Sequence, residues 1–171
     1  MLGRWDATNV VKSDVAVITN IALDHMEFAG PTLQHIAHEK VGISKANSSL
    51  VIGDENPDLF SIWNDSLHAK LIRRGEDFEL GENQLAVGGR SLSVRTSRAM
   101  YDDIHLPLHG MHQGSNASIA LAAVEEFFDA ALNTEIVREG LAAVAMPGRF
   151  EVLGRQPLVV VDGAHNPAGA D

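Results

Sequence analysis

Apolar and polar positions along the first 75 residues alternate between strand-like runs and helix-like spacing. Short apolar runs rich in β-branched residues predict three buried strands, over residues 15–19, 49–53 and 70–74. Between them, helical spacing predicts one helix that Thr32 caps and that runs to about residue 43, and a second over 57–69. Strands that alternate with helices in this way are typical of a parallel α/β sheet.

The pattern changes after residue 78. Residues 84–87 and 91–95 flank Gly88-Gly89 and predict a hairpin, which a strand over 104–108 extends into an antiparallel sheet. Helices follow over 115–128 and 134–144. The inward stripe of the first helix is predicted to consist of Ala117, Ala120, Leu121, Val124 and Phe128. The apolar run 158–161 predicts a last strand of the buried, parallel kind.

Composition limits the classes of function. The 171 residues are 45% hydrophobic and 21% charged, which is typical of a globular protein, and the net charge of −10 argues against a general nucleic-acid surface. The absence of cysteine excludes disulfides and thiolate chemistry and suits the cytoplasm. No apolar run is long enough for a membrane span, so we expect neither a nucleic-acid nor a membrane partner.

Lys40 is the residue whose position conflicts most with its chemistry. Helical spacing places it on the same stripe as Leu33, Ile36, Ala37 and Val41. A lysine that faces a core should be paired, neutral or chemically modified. The alternative is that its aliphatic stem crosses the stripe and carries the ammonium group to water.

Two loops that follow predicted strands contain histidine beside aspartate. Asp162 and His165 lie in Asp-Gly-Ala-His-Asn-Pro after the last strand, and Asp24-His25 follows the first. Ligand sites of open α/β sheets collect at the carboxyl ends of strands, and histidine serves as a metal ligand or as an acid and base. In both loops the alternative is an exposed turn without function.

Two further segments are candidates for binding anions. Residues 110–116 open the helix that contains Asn116, and helix N-termini present free N–H groups. Alternatively, Ser115 or Asn116 is only the N-cap. Arg149, in the connector Pro-Gly-Arg-Phe-Glu, could hold a phosphate or carboxylate in a bidentate manner, or could be a surface residue of a linker.

Taken together and in this order, the motifs resemble the folylpolyglutamate synthase/dihydrofolate synthase family of the Mur ligase superfamily. The matching stretches are residues 3–9 (Gly-Arg-Trp-Asp-Ala-Thr-Asn), 18–30, 38–43 (His-Glu-Lys-Val-Gly-Ile), 110–116, 147–151 and 162–167. The Arg-x-Asp-Ala-Thr-Asn stretch points to the folate branch rather than the peptidoglycan branch.

The resemblance implies a fold and a set of roles. The fold is α/β: residues 1–148 form part of a central ATPase domain with a mostly parallel sheet and a small antiparallel extension, and 149–171 form a hinge and the first strand of a C-terminal α/β domain. His25 resembles a Mg²⁺ ligand, and Lys40 the family's carbamylated lysine, which supports a second Mg²⁺. Asn116, Arg149 and Asp162 resemble ATP contacts, and His165 a catalytic residue of the same loop.

The implied reaction is an ATP-dependent ligation of L-glutamate to dihydropteroate or to folate glutamate tails. A carboxylate takes the γ-phosphoryl group of ATP, and the amine of L-glutamate then attacks the acyl phosphate. The full-length enzyme is expected to be a monomer. The family's phosphate loop, G-x-x-x-x-G-K-[ST], does not occur in the 171 residues, so we expect a fragment that is inactive alone.

Two other interpretations stay open. Another Mur-type ligase, acting on a UDP-sugar peptide, would share the chemistry but differ in the elements that recognise the substrate. A non-catalytic remnant would keep the fold without the reaction.

Overall fold

The computed structural model describes residues 3–23, 26–65 and 70–164. The strands in these ranges are β1 (Val15–Ile18), β2 (Ser49–Ile52), β3 (Lys70–Arg73), β4 (Phe78–Ala86), β5 (Gly89–Thr96), β6 (Met100–Leu106), β7 (Glu151–Arg155) and β8 (Leu158–Val161). The helices are α1 (Met26–Ala29), α2 (Leu33–Val41), α3 (Phe60–Asp65), α4 (Met111–Phe128) and α5 (Thr134–Ala142). Contacts divide the chain into two compact units, Met1–Phe78 with Ile119–Ala130 and Glu79–Ser118 with Ala131–Asp171. The boundary expected between residues 148 and 149 stays a prediction.

The first unit is built on a parallel three-stranded sheet of order β1-β2-β3. The three strands expected from the sequence are therefore confirmed, and so is the cap of α2, where the Thr32 side chain accepts a hydrogen bond from His35 N. The α-helix predicted over 57–69 begins later than expected. Pro57–Leu59 forms a 3-10 turn, and α3 begins after it at Phe60.

Side chains of the central strand β2 alternate between two covered faces. Leu50 and Ile52 belong to one cluster and Val51 to another, and all three are fully buried. The first cluster also contains residues of β1, α2, the 3-10 turn and α3, namely Ala16, Ile18, Ala37, Leu59, Ile62 and Trp63. The second contains Ile72 and Phe78 with two residues of α4, Ile119 and Ala122. The unit therefore has a helix/sheet/helix layering.

Helix α4 departs from the prediction in its start and in its buried face. It begins at Met111, so Ser115 and Asn116 lie in its second turn and neither is the N-cap. Val124 and Phe128 of the predicted stripe are 40% and 64% exposed, because the face around Ile119 and Ala122 contacts the sheet instead. An evenly apolar helix gives several candidate stripes, and tertiary packing selects one. No described helix is both long and apolar enough to cross a bilayer.

The second unit contains the antiparallel sheet β4-β5-β6, against which α5 packs through β6. The predicted hairpin is confirmed, with Gly88 at its tip in the left-handed region at φ +77°. Asn133 caps α5 by accepting hydrogen bonds from Glu135 N and Ile136 N. The buried Tyr101 hydroxyl accepts a hydrogen bond from Leu132 N at 2.8 Å, which fixes the entry to that helix.

The prediction for residues 158–161 was wrong in pairing and in burial. Strand β8 pairs with β7 in an antiparallel ribbon, with Glu151 opposite Val161 and Arg155 opposite Leu158. All four β8 residues are exposed. The short connection between two adjacent strands favours antiparallel pairing, since parallel strands need a long crossover.

Gly53, at the end of β2, offers a test of this packing. A Cβ at Gly53 would lie 2.5 Å from Thr19 O and 2.3 Å from Ile119 Cδ1. Gly53→Ala should therefore lower the free energy of unfolding by about 1–3 kcal/mol. Gly140→Ala is the control: it lies in α5 with no atom within 4 Å of the added Cβ, and should raise that free energy by about 0.5–1 kcal/mol. Urea denaturation of both variants measures the difference, and a Gly53→Ala variant as stable as the parent would contradict this packing.

Candidate functional site

A cavity of about 230 Å³ lies at the carboxyl end of β1 in the first unit. Thr19 and Asn20, which follow the last residue of that strand, form part of its wall. The other lining residues are Gly3, Asp6, Thr8, Val17, Ile18, Lys40 and Ile43. This is the place in a parallel sheet where polar side chains and ligands collect, so the cavity is the candidate site of this unit.

Lys40 reaches this cavity from α2. Ile36 and Ala37, on the same helical stripe, are 1% and 0% exposed, whereas Lys40 is half-buried. Among the described residues, no hydrogen bond or ion pair involves the Lys40 ammonium group. The inward position expected from the spacing is present, and the lysine ends in a polar cavity rather than in the apolar core.

Another part of the wall comes from residues 3–9, a segment that lies on the end of α2. Arg4 N donates to Glu39 O at 2.9 Å, and Trp5 N donates to Glu39 Oε1 at 3.1 Å. A Cβ at Gly3 would lie 2.2 Å from Glu39 O, and one at Gly42 would lie 2.6 Å from Arg4 Cβ. Only glycine permits this approach at both places, which gives the two glycines of the sequence motifs a physical reason.

Asp6 is a cavity residue to which sequence reasoning gave no role. Its Oδ1 accepts hydrogen bonds from Thr8 N at 3.0 Å and from Thr8 Oγ1 at 2.7 Å, and so caps the 3-10 turn Ala7–Val10. These hydrogen bonds, from the Thr8 side chain first and its backbone second, hold the pKa of Asp6 below its usual 3.8. The signal was available, because Asp6 is the acidic residue of the Arg-x-Asp-Ala-Thr-Asn stretch.

The donors of the cavity are those that Mg²⁺ prefers, provided that Lys40 is modified. Asp6 supplies a carboxylate, Thr8 and Thr19 supply hydroxyls, and Asn20 supplies an amide oxygen. An unmodified Lys40 ammonium would repel a cation, whereas a carbamate on the same nitrogen would add oxygen ligands. The described residues contain no group of three acidic or histidine side chains placed to hold a metal.

In the second unit, the structure brings the Arg149 and Asp162 loops together. Asp162 Oδ2 accepts a hydrogen bond from Phe150 N at 2.6 Å, and Gly163 N donates to Gly148 O at 2.8 Å. Asp162 Oδ1 accepts from Ala164 N at 2.7 Å, so both carboxylate oxygens hold backbone. A carboxylate has about four acceptor positions, which leaves Asp162 able to accept from a ligand as well.

Arg149 is exposed and borders a separate cavity of about 350 Å³ in the same unit. The rings of His109 and Phe150, both in its wall, meet edge to face with centroids 5.8 Å apart. No hydrogen bond or ion pair of the Arg149 guanidinium occurs within the described ranges.

Asn116 is exposed in the second turn of α4, and the hairpin holds the start of that helix. Asn83 Nδ2 donates to Met111 O at 3.0 Å, and the buried Arg90 donates to Asn83 through Nε and, at 2.6 Å, from Nη2 to the backbone oxygen. A Cβ at Gly114 would lie 2.8–2.9 Å from the Asn83 amide group. The first turns of the helix are therefore fixed in place before Asn116.

The remaining predicted site residues, His25 and His165, lie outside the described residues. Lys40 is in the first unit, and Asn116, Arg149 and Asp162 are in the second. The predicted roles of all six stay predictions.

Comparison with known families agrees with this architecture. Residues 2–124 match the Mur ligase middle domain, and the chain belongs to that family of proteins.

Within the family, the chain is similar to enzymes of folate metabolism. It is 43% identical over 183 residues to the dihydrofolate synthase/folylpolyglutamate synthase of Mycobacterium tuberculosis, covering 99% of the chain and 38% of that protein. A crystal structure of M. tuberculosis folylpolyglutamate synthase with ADP and AMPPCP superposes with a TM-score of 0.91 at 44% identity, covering 98% of this chain and 40% of that one. Escherichia coli FolC in complex with DHPP and ADP gives a TM-score of 0.83 at 33% identity over 98% and 39% of the two chains. The chain spans about two fifths of the length of these relatives.

The lowered pKa of Asp6 leads to a prediction about pH. A group whose pKa is lower in the folded state stabilises that state above its unfolded pKa, and the contribution is lost as the pH falls through the folded pKa. The cap on Thr8 should therefore persist as the pH falls to 3.8, the usual value for aspartate, and be lost below it. The carboxyl carbon of Asp6, followed by NMR, should titrate with a midpoint below 3.8, and Asp6→Asn should remove that titration. A midpoint at or above 3.8 would contradict the Thr8 hydrogen bonds.

Proposed function

We propose that this chain is the nucleotide-handling part of an ATP-dependent ligase that joins L-glutamate to dihydropteroate or to the glutamate tail of a folate. Support comes from the similarity to dihydrofolate synthase/folylpolyglutamate synthases, from the nucleotide complexes of the two solved structures, and from the cavity around Lys40.

The observation that carries the proposal is the amine of Lys40, which has no partner among the described residues and lies in a cavity lined with oxygen atoms. A carbamate on Lys40 would replace one positive charge by one negative charge, beside the Asp6 carboxylate and the hydroxyls of Thr8 and Thr19. That set suits Mg²⁺, with His25 as the further expected ligand. When bound, Mg²⁺ neutralises charge on the phosphates of ATP.

In the proposed reaction, a carboxylate oxygen of the pterin substrate attacks the γ-phosphorus of ATP. ADP leaves, and an acyl phosphate forms. The amine of L-glutamate then attacks the acyl carbon, phosphate leaves with the bonding electrons, and the ammonium proton is released to solvent or to a base. We propose that His165, three residues after Asp162 in the sequence, is a catalytic residue of this reaction.

Nucleotide contacts are proposed for three residues of the second unit. Arg149 has donors for phosphate oxygens that no described residue takes, and the described contacts of Asp162 leave acceptor positions for hydroxyl groups. Asn116 presents an amide at an exposed position on a helix whose start is fixed by Asn83. Positioning of this kind is the main contribution that a protein makes to phosphoryl transfer.

A chimera tests the proposal as a whole. The 171 residues replace the matching segment of the M. tuberculosis relative, and ADP release is measured with L-glutamate and either dihydropteroate or folate. Release that requires L-glutamate and one of the two pterins supports the proposal. A folded chimera that uses only a UDP-sugar peptide, or that turns over nothing, refutes it.

Lys40→Ala in this chimera should lower the ligation rate by about 100-fold, because the group that completes the oxygen set is lost. Added formate or acetate should restore part of the rate by entering the vacated space. Lys12→Ala is the matched control, since Lys12 is an exposed lysine outside the cavity. An unchanged rate in Lys40→Ala would exclude a functional role for that residue.

A further inference from the structure

Lys45, which no motif of the sequence analysis contained, lies four residues beyond the end of α2. It is half-buried, and its Nζ donates to two atoms of one residue: Asn9 O at 2.9 Å and Asn9 Oδ1 at 2.6 Å. Within the described ranges, no carboxylate pairs with it. Both described hydrogen bonds of the Lys45 ammonium group therefore go to Asn9.

The side-chain nitrogen of Asn9 donates two hydrogen bonds to backbone oxygens. Asn9 Nδ2 donates to Arg4 O at 2.9 Å and to Gly42 O at 3.2 Å. One amide group thus closes the loop from Arg4 to Asn9 and ties it to the turn that ends α2.

Lys45 and two backbone carbonyl groups hold this amide from opposite ends. An ammonium group has three donors and no acceptor, so Lys45 can bind only the oxygen of the Asn9 side chain. The carbonyl oxygens of Arg4 and Gly42 only accept, so they bind its nitrogen. Without the lysine, Asn9 would lose the contacts to its side-chain and backbone oxygens and would be held by the two carbonyl groups alone.

The loop closed by Asn9 carries Asp6 and Thr8 into the cavity with Lys40. Its first end is already held by Glu39, through Arg4 N and Trp5 N. We propose that Lys45 is a positioning residue for the ligase: through Asn9 it helps to fix the second end of this loop and thereby sets the place of Asp6 and Thr8 in the cavity with Lys40. This inference rests on the proposed function for its effect on catalysis, but the contact itself does not.

Two measurements test the two parts separately. In the 171-residue chain, the Asn9 side-chain N–H protons should be protected from exchange with solvent, because both are bonded. Lys45→Met should raise their exchange rate by about tenfold or more, while Lys12→Met, with the same change of charge at an exposed site, should leave it unchanged. Unchanged protection in Lys45→Met would overturn the proposal.

In the chimera, Lys45→Met should lower kcat by about 10–100-fold, with KM for ATP changed less than about threefold, because a small displacement of reacting groups costs rate more than binding. Lys45→Arg, which also has only donors, should recover part of kcat, whereas Lys45→Gln, whose amide can present either atom, should not.

A folded Lys45→Met chimera with the parental kcat, or equal losses in the Arg and Gln variants, would overturn the proposal. If Lys45→Met does not fold, the Arg and Gln pair gives the same decision. An inactive parent chimera refutes the proposed function alone, and the exchange experiment then decides on Lys45.

Discussion

Strand β2 is buried on both faces, and this burial determines where a site can form in the first unit. Leu50 and Ile52 pack under α2 and α3, and Val51 packs under α4, so neither face of the strand is open. The covering helices leave polar groups only at the strand ends. The cavity lies at the carboxyl end of the neighbouring strand β1, where backbone leaves the sheet.

The second constraint is the close contact between residues 3–9 and the end of α2. Glu39 supplies both its carbonyl oxygen and its carboxylate to that segment, so one residue holds two successive N–H groups. Within the helix end, Glu39 O accepts a hydrogen bond from Gly42 N at 3.3 Å, and the Arg4 N–H takes its second acceptor position. The same helix end thus supports the loop that carries Asp6 and Thr8 into the cavity.

The spacing of apolar residues was enough to predict those helices and strands whose burial depends on few neighbours. Strands β1 and β2 and the cap at Thr32 came directly from local pattern, because strand burial and capping depend on few neighbours. It failed where distant packing decides. The buried stripe of α4 depends on which face meets Val51 and Ile72, and the direction of β8 depends on its pairing with β7. Neither partner can be identified from the spacing of apolar residues alone.

The candidate site was predictable only through one charged residue at a position where an apolar residue is expected. Lys40 was found because a charge on an apolar stripe conflicts with the cost of burial. Asp6 belongs to a stretch that the sequence singled out, but nothing in that stretch showed that its carboxylate lies in a cavity with Lys40. Lys45 was missed because a lysine after a helix is unremarkable, and its significance arises from its contact with Asn9, 36 positions away. A donor-only cation binds the oxygen of the asparagine amide, while backbone carbonyl groups bind its nitrogen, so the amide is held from both ends. Chemistry of this kind is carried by pairs of residues, so it becomes visible only when the fold has brought the two members together.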